Sequence, residues 1–274
     1  MTTIASEILV DHDPTAVAEQ SSLRWVVSDA LAVAHRNLIA LFRVPTTLVF
    51  STIQPVIFVL MFRYVFGGAI KIPGVRYVDF LMAGIFVQTV TFGSTNTGIG
   101  LADDLKKGLV ERFRSLPMAR SAVLAGRTIA DMVRNVFVII LMVVVGFAVG
   151  FRVHTNAIEF LAAVAVLVLF GVAMSWVMAF IGLATGDAEA AQAASFPLMA
   201  LLVFASNAFV SSKTMPGPLR AYANHQPVTA TVNAVRALVL GGPTAGRVLG
   251  ALLWIVGIVA VFAPLAVMRY RRAT

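Results

Sequence analysis

The stretch DDLKKGLVERFRSLPMAR, Asp103 to Arg120, is the most charged part of a very apolar chain and separates two long hydrophobic runs. Leu105, Leu109, Phe113 and Leu116 recur at spacings of four, four and three, which places them on one helical face. Lys106, Lys107, Glu111, Arg112 and Arg114 point in other directions. Asp103 or Asp104 is expected to cap the start, accepting from free backbone N–H groups. Pro117 has no N–H and pushes Leu116 out of helical geometry, so the predicted helix covers 103–117. A loop that only set topology would need no such stripe. A short helix with one apolar face and a charged rim suits a groove on another protein.

The runs on either side set the class. The chain has 274 residues, 59% hydrophobic and 12% charged, with mean hydropathy +0.90. A soluble domain carries roughly 25% charged residues, so lipid is the expected solvent. Six segments are long enough to cross about 30 Å of hydrocarbon: Thr46–Phe66, Phe80–Ala102, Ile129–Phe151, Ala157–Ala184, Ala188–Val210 and Val248–Met268. The expected fold is an all-α membrane protein with six transmembrane helices over residues 44–274.

Ahead of them, residues 1–22 carry Glu7, Asp11, Asp13 and Glu19 without Lys or Arg, and are expected to form a disordered acidic tail rather than a cleaved signal. Residues 23–43 mix Trp25, Leu31, Leu38 and Leu41 with Arg24, Asp29, His35, Arg36 and Arg43, which predicts an amphipathic helix in the membrane interface. Lys and Arg concentrate before the first span, between spans two and three, and after the sixth, so both termini are expected in the cytoplasm. The same bias explains the net charge of +8 without a nucleic-acid partner.

Several chemistries are excluded by what is missing. There is no cysteine, and His12, His35, His154 and His225 lack metal-ligand spacing, so no metal site is expected. No G-x-x-x-x-G-K-[ST] occurs, so the chain does not cradle ATP by that loop, and no catalytic residue is assigned. Asp79, Asp131, Glu159 and Asp187 all fall near predicted span ends, whereas ion-coupled carriers usually keep an ionisable group near mid-bilayer. Uphill transport would need energy from another chain.

Candidate positions within the spans are weaker signals. Span two carries Gln88, Thr89, Thr91, Ser94, Thr95, Asn96 and Thr97, which fit either interhelical hydrogen bonding or a polar substrate path. Phe58, Met61, Phe92, Met199, Phe204 and Phe209, with Gln88 and Asn207, are the expected path residues, in competition with plain packing or lipid contact. Gly146 and Gly150, and Gly246 and Gly250, are expected to mark close helix contacts. In the outer region 211–245, Val228, Val232, Val235 and Val239 recur at helical spacing after Pro227, with Thr229, Asn233 and Arg236 on another face. That helix either re-enters the membrane or lies on its surface.

The segment GLVERFRSLPMARSAVLAGRTIADMVR (Gly108–Arg134) resembles the region after the second span in permeases of the ABC-2 type, most closely the daunorubicin-resistance (DrrB-like) branch. FVQTVTFGSTNTGIGLADDL before it and FVSSKTMPGPLRAYANHQPVTATVNAVRALVLGG near the end agree. The resemblance implies two copies of the permease and two cytoplasmic ATP-binding cassette subunits, with ATP and Mg held by those subunits. It assigns ATPase contact to Leu105, Leu109, Glu111, Arg112, Phe113, Arg114, Leu116 and Pro117, and to the amphipathic N-terminal helix. Many relatives have Gly-Thr where this chain has Gly108-Leu109, a departure that completes the apolar stripe. It also implies short outer helices between spans five and six, and export across the bacterial plasma membrane. The expected cargo is a hydrophobic or amphipathic small molecule, with a cell-envelope glycolipid or polyketide lipid as the alternative. A stand-alone secondary carrier and a membrane scaffold for a nucleotide-binding partner are the competing classes.

Overall fold

A computed structural model describes residues 45–68, 74–108 and 120–272, and among these every regular element is helical. The tail, the 23–43 helix, and Leu109, Glu111, Arg112, Phe113, Arg114, Leu116 and Pro117 lie outside the described residues.

Helix α1 (Pro45–Leu60) runs into a π-helical turn at Met61–Val65. Helix α2 (Tyr77–Gly93) is buried on nearly all sides and forms the centre of the bundle. At Ser94 it breaks, and α3 (Thr95–Lys106) continues onward. The local cause is the run TVTFGSTN. Thr89, Thr91, Ser94 and Thr95 each donate their hydroxyl to a carbonyl three or four residues back, at 2.6–2.7 Å. Such back-bonding competes with the helical ladder and bends it.

Helix α4 (Arg120–Ala148) ends in a Schellman motif. Gly150 sits at φ +96°, its N–H bonds Phe147 O at 3.2 Å, and Phe151 N–H bonds Gly146 O at 2.9 Å. Helix α5 (Ala157–Thr185) is capped by Asn156, whose Oδ1 accepts from Glu159 N–H, and stops at left-handed Gly186. The next residue, Asp187, caps α6 (Ala188–Phe204) by accepting from Glu189 and Ala190 N–H. The short GDAEA turn is thereby accounted for: one glycine ends a helix and one aspartate starts the next. After a short 3-10 turn come α7 (Gly217–Asn224), α8 (Pro227–Leu240) and α9 (Ala245–Arg272).

Four segments are long and apolar enough to cross a membrane: Tyr77–Lys106, Thr128–Ala148, Ala157–Thr185 and Ala245–Arg272. The expected first and fifth spans fall on shorter apolar helices, α1 with its π turn and α6. Helix α5 packs against α2, α3, α4, α8 and α9. The outward faces of α4 and α9 show Phe137, Ile140, Val144, Leu253 and Val256 exposed, an apolar surface suited to lipid.

Two expectations are corrected. Asp103 and Asp104 do not begin a helix; they lie in the last turn of α3, which stops at Lys107 and left-handed Gly108. Leu105 therefore belongs to α3, packed against a small cluster of Leu101, Ala179, Leu183, Ala266 and Tyr270. Of the expected close glycine contacts, Gly146 makes one, since a Cβ there would lie 2.8 Å from Met82 Cε on α2, while Gly150 meets nothing within 4 Å and the backbone-to-backbone contacts lie elsewhere. A Cβ on Gly98 or Gly182 would lie 2.4 and 2.1 Å from the facing backbone, so α3 and α5 touch main chain to main chain there. Gly84 meets Ala208 in the same way, whereas Gly246 and Gly250 face open space within this chain.

Candidate functional site

The break at Ser94 turns several polar groups inward. Between α1, α2, α3, α4 and α6 lies a cavity of about 670 Å³. Its walls include Gln54 from α1, Gln88, Thr89 and Phe92 from α2, and Asn96 and Ile99 from α3. Arg134, Asn135 and Val138 enter from α4, and Gln192, Ser195 and Phe196 from α6. Ligand sites are usually concave and apolar with a few placed polar groups; this one is unusually polar for the interior of an apolar bundle.

Two of its side-chain oxygens are left unpaired. Gln88 is 2% exposed and Ser195 1%, yet Gln88 Oε1 and Ser195 Oγ have no hydrogen-bond partner. Phe92 and Phe196 form a tilted aromatic pair at 6.2 Å between ring centroids. Gln54 and Gln192 lie on the exposed side of their helices, so the cavity opens between α1 and α6.

The floor is held by an ionic network. Asp131 and Arg134, one turn apart on α4, pair at 3.3 Å. Arg134 Nη2 also donates to Gly93 O, and Thr97 donates its hydroxyl to Asp131. Both charged residues are buried, and the network joins α4 to the last carbonyl of α2 and the first turn of α3. Reading Asp131 as a span-end residue missed it; its i,i+3 spacing to Arg134 was the available signal. Outside the bundle interior, Lys106 Nζ meets Asp187 at 2.6 Å and ties the end of α3 to the start of α6. That contact holds the Asp187 carboxyl below its ordinary pKa, chiefly through the Lys106 hydrogen bond.

Of the expected path residues, Gln88 and Phe92 line the cavity. Phe58, Phe204 and Phe209 join Phe62 in a stacked cluster, with Phe62 and Phe209 at 4.6 Å. Met199 is fully buried in the main core, and Met61 opens the π turn. Asn207 Nδ2 donates to Asn233 Oδ1 at 2.7 Å. Pro227 opens α8, which is buried among α2, α5 and α9. Arg236 lies inside that packing. Its Nε donates to Phe80 O at 3.1 Å, its Nη2 to Asn207 O and Ala208 O at 2.8 and 2.9 Å, and its guanidinium stacks 3.4 Å from the Phe80 ring centroid.

The family model described as ABC-2 type transporter matches residues 29–240, a range that takes in every cavity residue and the charged loop. The chain belongs to the ABC-2 type transporter family. This permease is 35% identical over 258 residues to the daunorubicin resistance ABC transporter permease of Streptomyces coeruleorubidus, covering 93% of this chain and 90% of that one. A Mycobacterium tuberculosis permease named for doxorubicin resistance is 27% identical over 282 residues, covering 100% and 99%. A second, doxorubicin resistance permease DrrB of M. tuberculosis, is 25% identical over 198 residues, covering 66% and 67%. The permease is an integral membrane subunit of an ATP-binding cassette exporter, and its family implies a separate cassette partner.

Proposed function

We propose that this permease exports a hydrophobic or amphipathic compound, of the drug class named in its relatives, out across the bacterial plasma membrane. Two copies pair with two cytoplasmic subunits that bind Mg-ATP and hydrolyse it, since the chain has no phosphate-cradling loop of its own. It crosses the membrane six times with both termini in the cytoplasm, and the 23–43 helix lies at the interface beside the ATPases.

The observation that carries this proposal is the polar cavity at the head of α3. Gln54 and Gln192 on its rim would be costly against lipid, which supports a second copy closing that side. Helix α3 runs from the cavity wall to Gly108, where the segment suited to ATPase docking begins. Glycine contacts tie α3 to α5, and the Lys106–Asp187 pair ties it to α6. A pull on the docking segment would move these helices together and bend the bundle at Ser94, where hydroxyl back-bonding has already loosened the ladder. ATP binding then favours one cavity state only through contacts that differ between the two states.

The test is reconstitution of permease and ATPase in vesicles. ATP should drive accumulation of a fluorescent drug, and substitutions Leu109→Lys and Phe113→Asp together should abolish it with membrane insertion intact. A doubly substituted complex that still exports and still co-purifies with its ATPase removes the docking role.

A further inference from the structure

The cavity also carries information about what part of a cargo it holds. Its lining includes Arg134, but that guanidinium is already committed to Asp131 and to Gly93 O. Among the described residues no carboxylate lines the cavity. A cationic head group would find no free counter-charge, and an anionic one would have to displace Asp131 from a buried pair, at a large penalty. The groups left over are neutral: the free end of the Gln88 amide and the Ser195 hydroxyl, both almost wholly buried and unpartnered. Buried polar groups are nearly always hydrogen-bonded, and an exception asks for an occupant. Amides and hydroxyls both donate and accept, so their complement is another neutral hydroxyl or amide.

We propose that Gln88 and Ser195 form a hydrogen-bonding subsite for an uncharged, hydroxyl- or amide-bearing portion of the cargo, with Phe92 and Phe196 beside it taking an apolar portion. This deepens the drug-export proposal above and rests on it. A charged group on the same cargo stays outside the cavity, and contributes little to affinity there. The two side chains come from α2 and α6, two helices that also meet through the Phe92–Phe196 pair, so one bound molecule would touch both.

The experiment uses the full chain in lipid nanodiscs and two probes read by their own fluorescence: daunorubicin, and its N-acetyl derivative, which lacks the amine's positive charge. Wild type should bind both within about twofold of each other, because the amine makes no ion pair in the cavity. Ser195→Ala and Gln88→Leu should each weaken both probes about five- to tenfold, the usual worth of one buried hydrogen bond. Ser195→Thr, which keeps the hydroxyl, should restore affinity. Thermal unfolding of the empty Ser195→Ala protein should not fall below wild type, since the hydroxyl it removes has no partner; a merely structural serine would show the opposite. Unchanged binding in both variants, or loss of binding on N-acetylation alone, overturns the subsite and leaves drug export standing. Wild type that binds neither probe overturns the subsite and the drug-class cargo together.

Discussion

Arg134 and Asp131 form a 3.3 Å pair on α4 with only 9% and 11% of their side chains exposed, and the pair faces the break between α2 and α3. Arg134 satisfies the carbonyl of Gly93, which the break leaves without an ordinary helical partner. Thr97, in the first turn beyond the break, holds Asp131. The two charges therefore close a gap in one helix with a hydrogen bond from another.

Removing one member should be much worse than removing both. Asp131→Leu or Arg134→Leu strands a buried charge and should cost about 3–5 kcal/mol. The double Leu variant should recover most of that loss. Thermal unfolding of the four proteins in nanodiscs provides the cycle; additive losses would show that the pair is not coupled.

The α3–α5 contact predicts a sharp contrast between glycines. Gly182→Ala would put a methyl group 2.1 Å from Gly98 O and should destabilise by about 1–3 kcal/mol or prevent folding. Gly257→Ala, on an open face of α9, should leave unfolding within about 0.5 kcal/mol of wild type. Equal effects would mean the two helices are not in main-chain contact.

Arg236 makes a comparable prediction at the α6–α8 junction. Its fork reaches Phe80, Asn207 and Ala208 carbonyls at once, which a lysine ammonium does not reproduce. Arg236→Lys should lose about 2–4 kcal/mol, close to the effect of Arg236→Met. A lysine that restores wild-type unfolding would reduce the site to a point charge.

The Lys106–Asp187 contact makes a prediction about pH. The carboxyl of Asp187 is held below its usual value of 3.8 by Lys106, so its contribution is present above that value and disappears only as pH falls through the depressed one. The difference in unfolding temperature between wild type and Asp187→Asn should stay constant from pH 8 to pH 5 and shrink in 1 M salt, because the pair is exposed. Asp187→Ala, which also loses the α6 cap, should unfold below Asp187→Asn.

Apolar run length was legible in the sequence because lipid requires it: the Tyr77–Lys106, Thr128–Ala148, Ala157–Thr185 and Ala245–Arg272 helices lie where hydropathy puts them. The cavity was legible in span two, where Gln88, Thr89, Phe92, Thr95 and Asn96 line it. Its other walls come from α1, α4 and α6, and no spacing along one chain segment shows that Gln54, Arg134 and Ser195 converge. Local patterning misled at Asp103, where a cap motif inside a continuing helix looks the same as one that starts a helix; the true stop was Gly108. The glycine contacts were hidden for a similar reason. Gly98 and Gly182 pair across 84 positions without forming a GxxxG motif.

The central claim is that this permease moves cargo only when a cassette ATPase engages the segment after α3. Its most direct measurement is drug uptake into inverted vesicles containing permease and ATPase, with and without ATP, beside the Leu109→Lys/Phe113→Asp variant. ATP-dependent uptake that the variant loses, with its ATPase no longer co-purifying, is the predicted result. Uptake by the permease alone along an ion gradient, with no ATPase present, would contradict it.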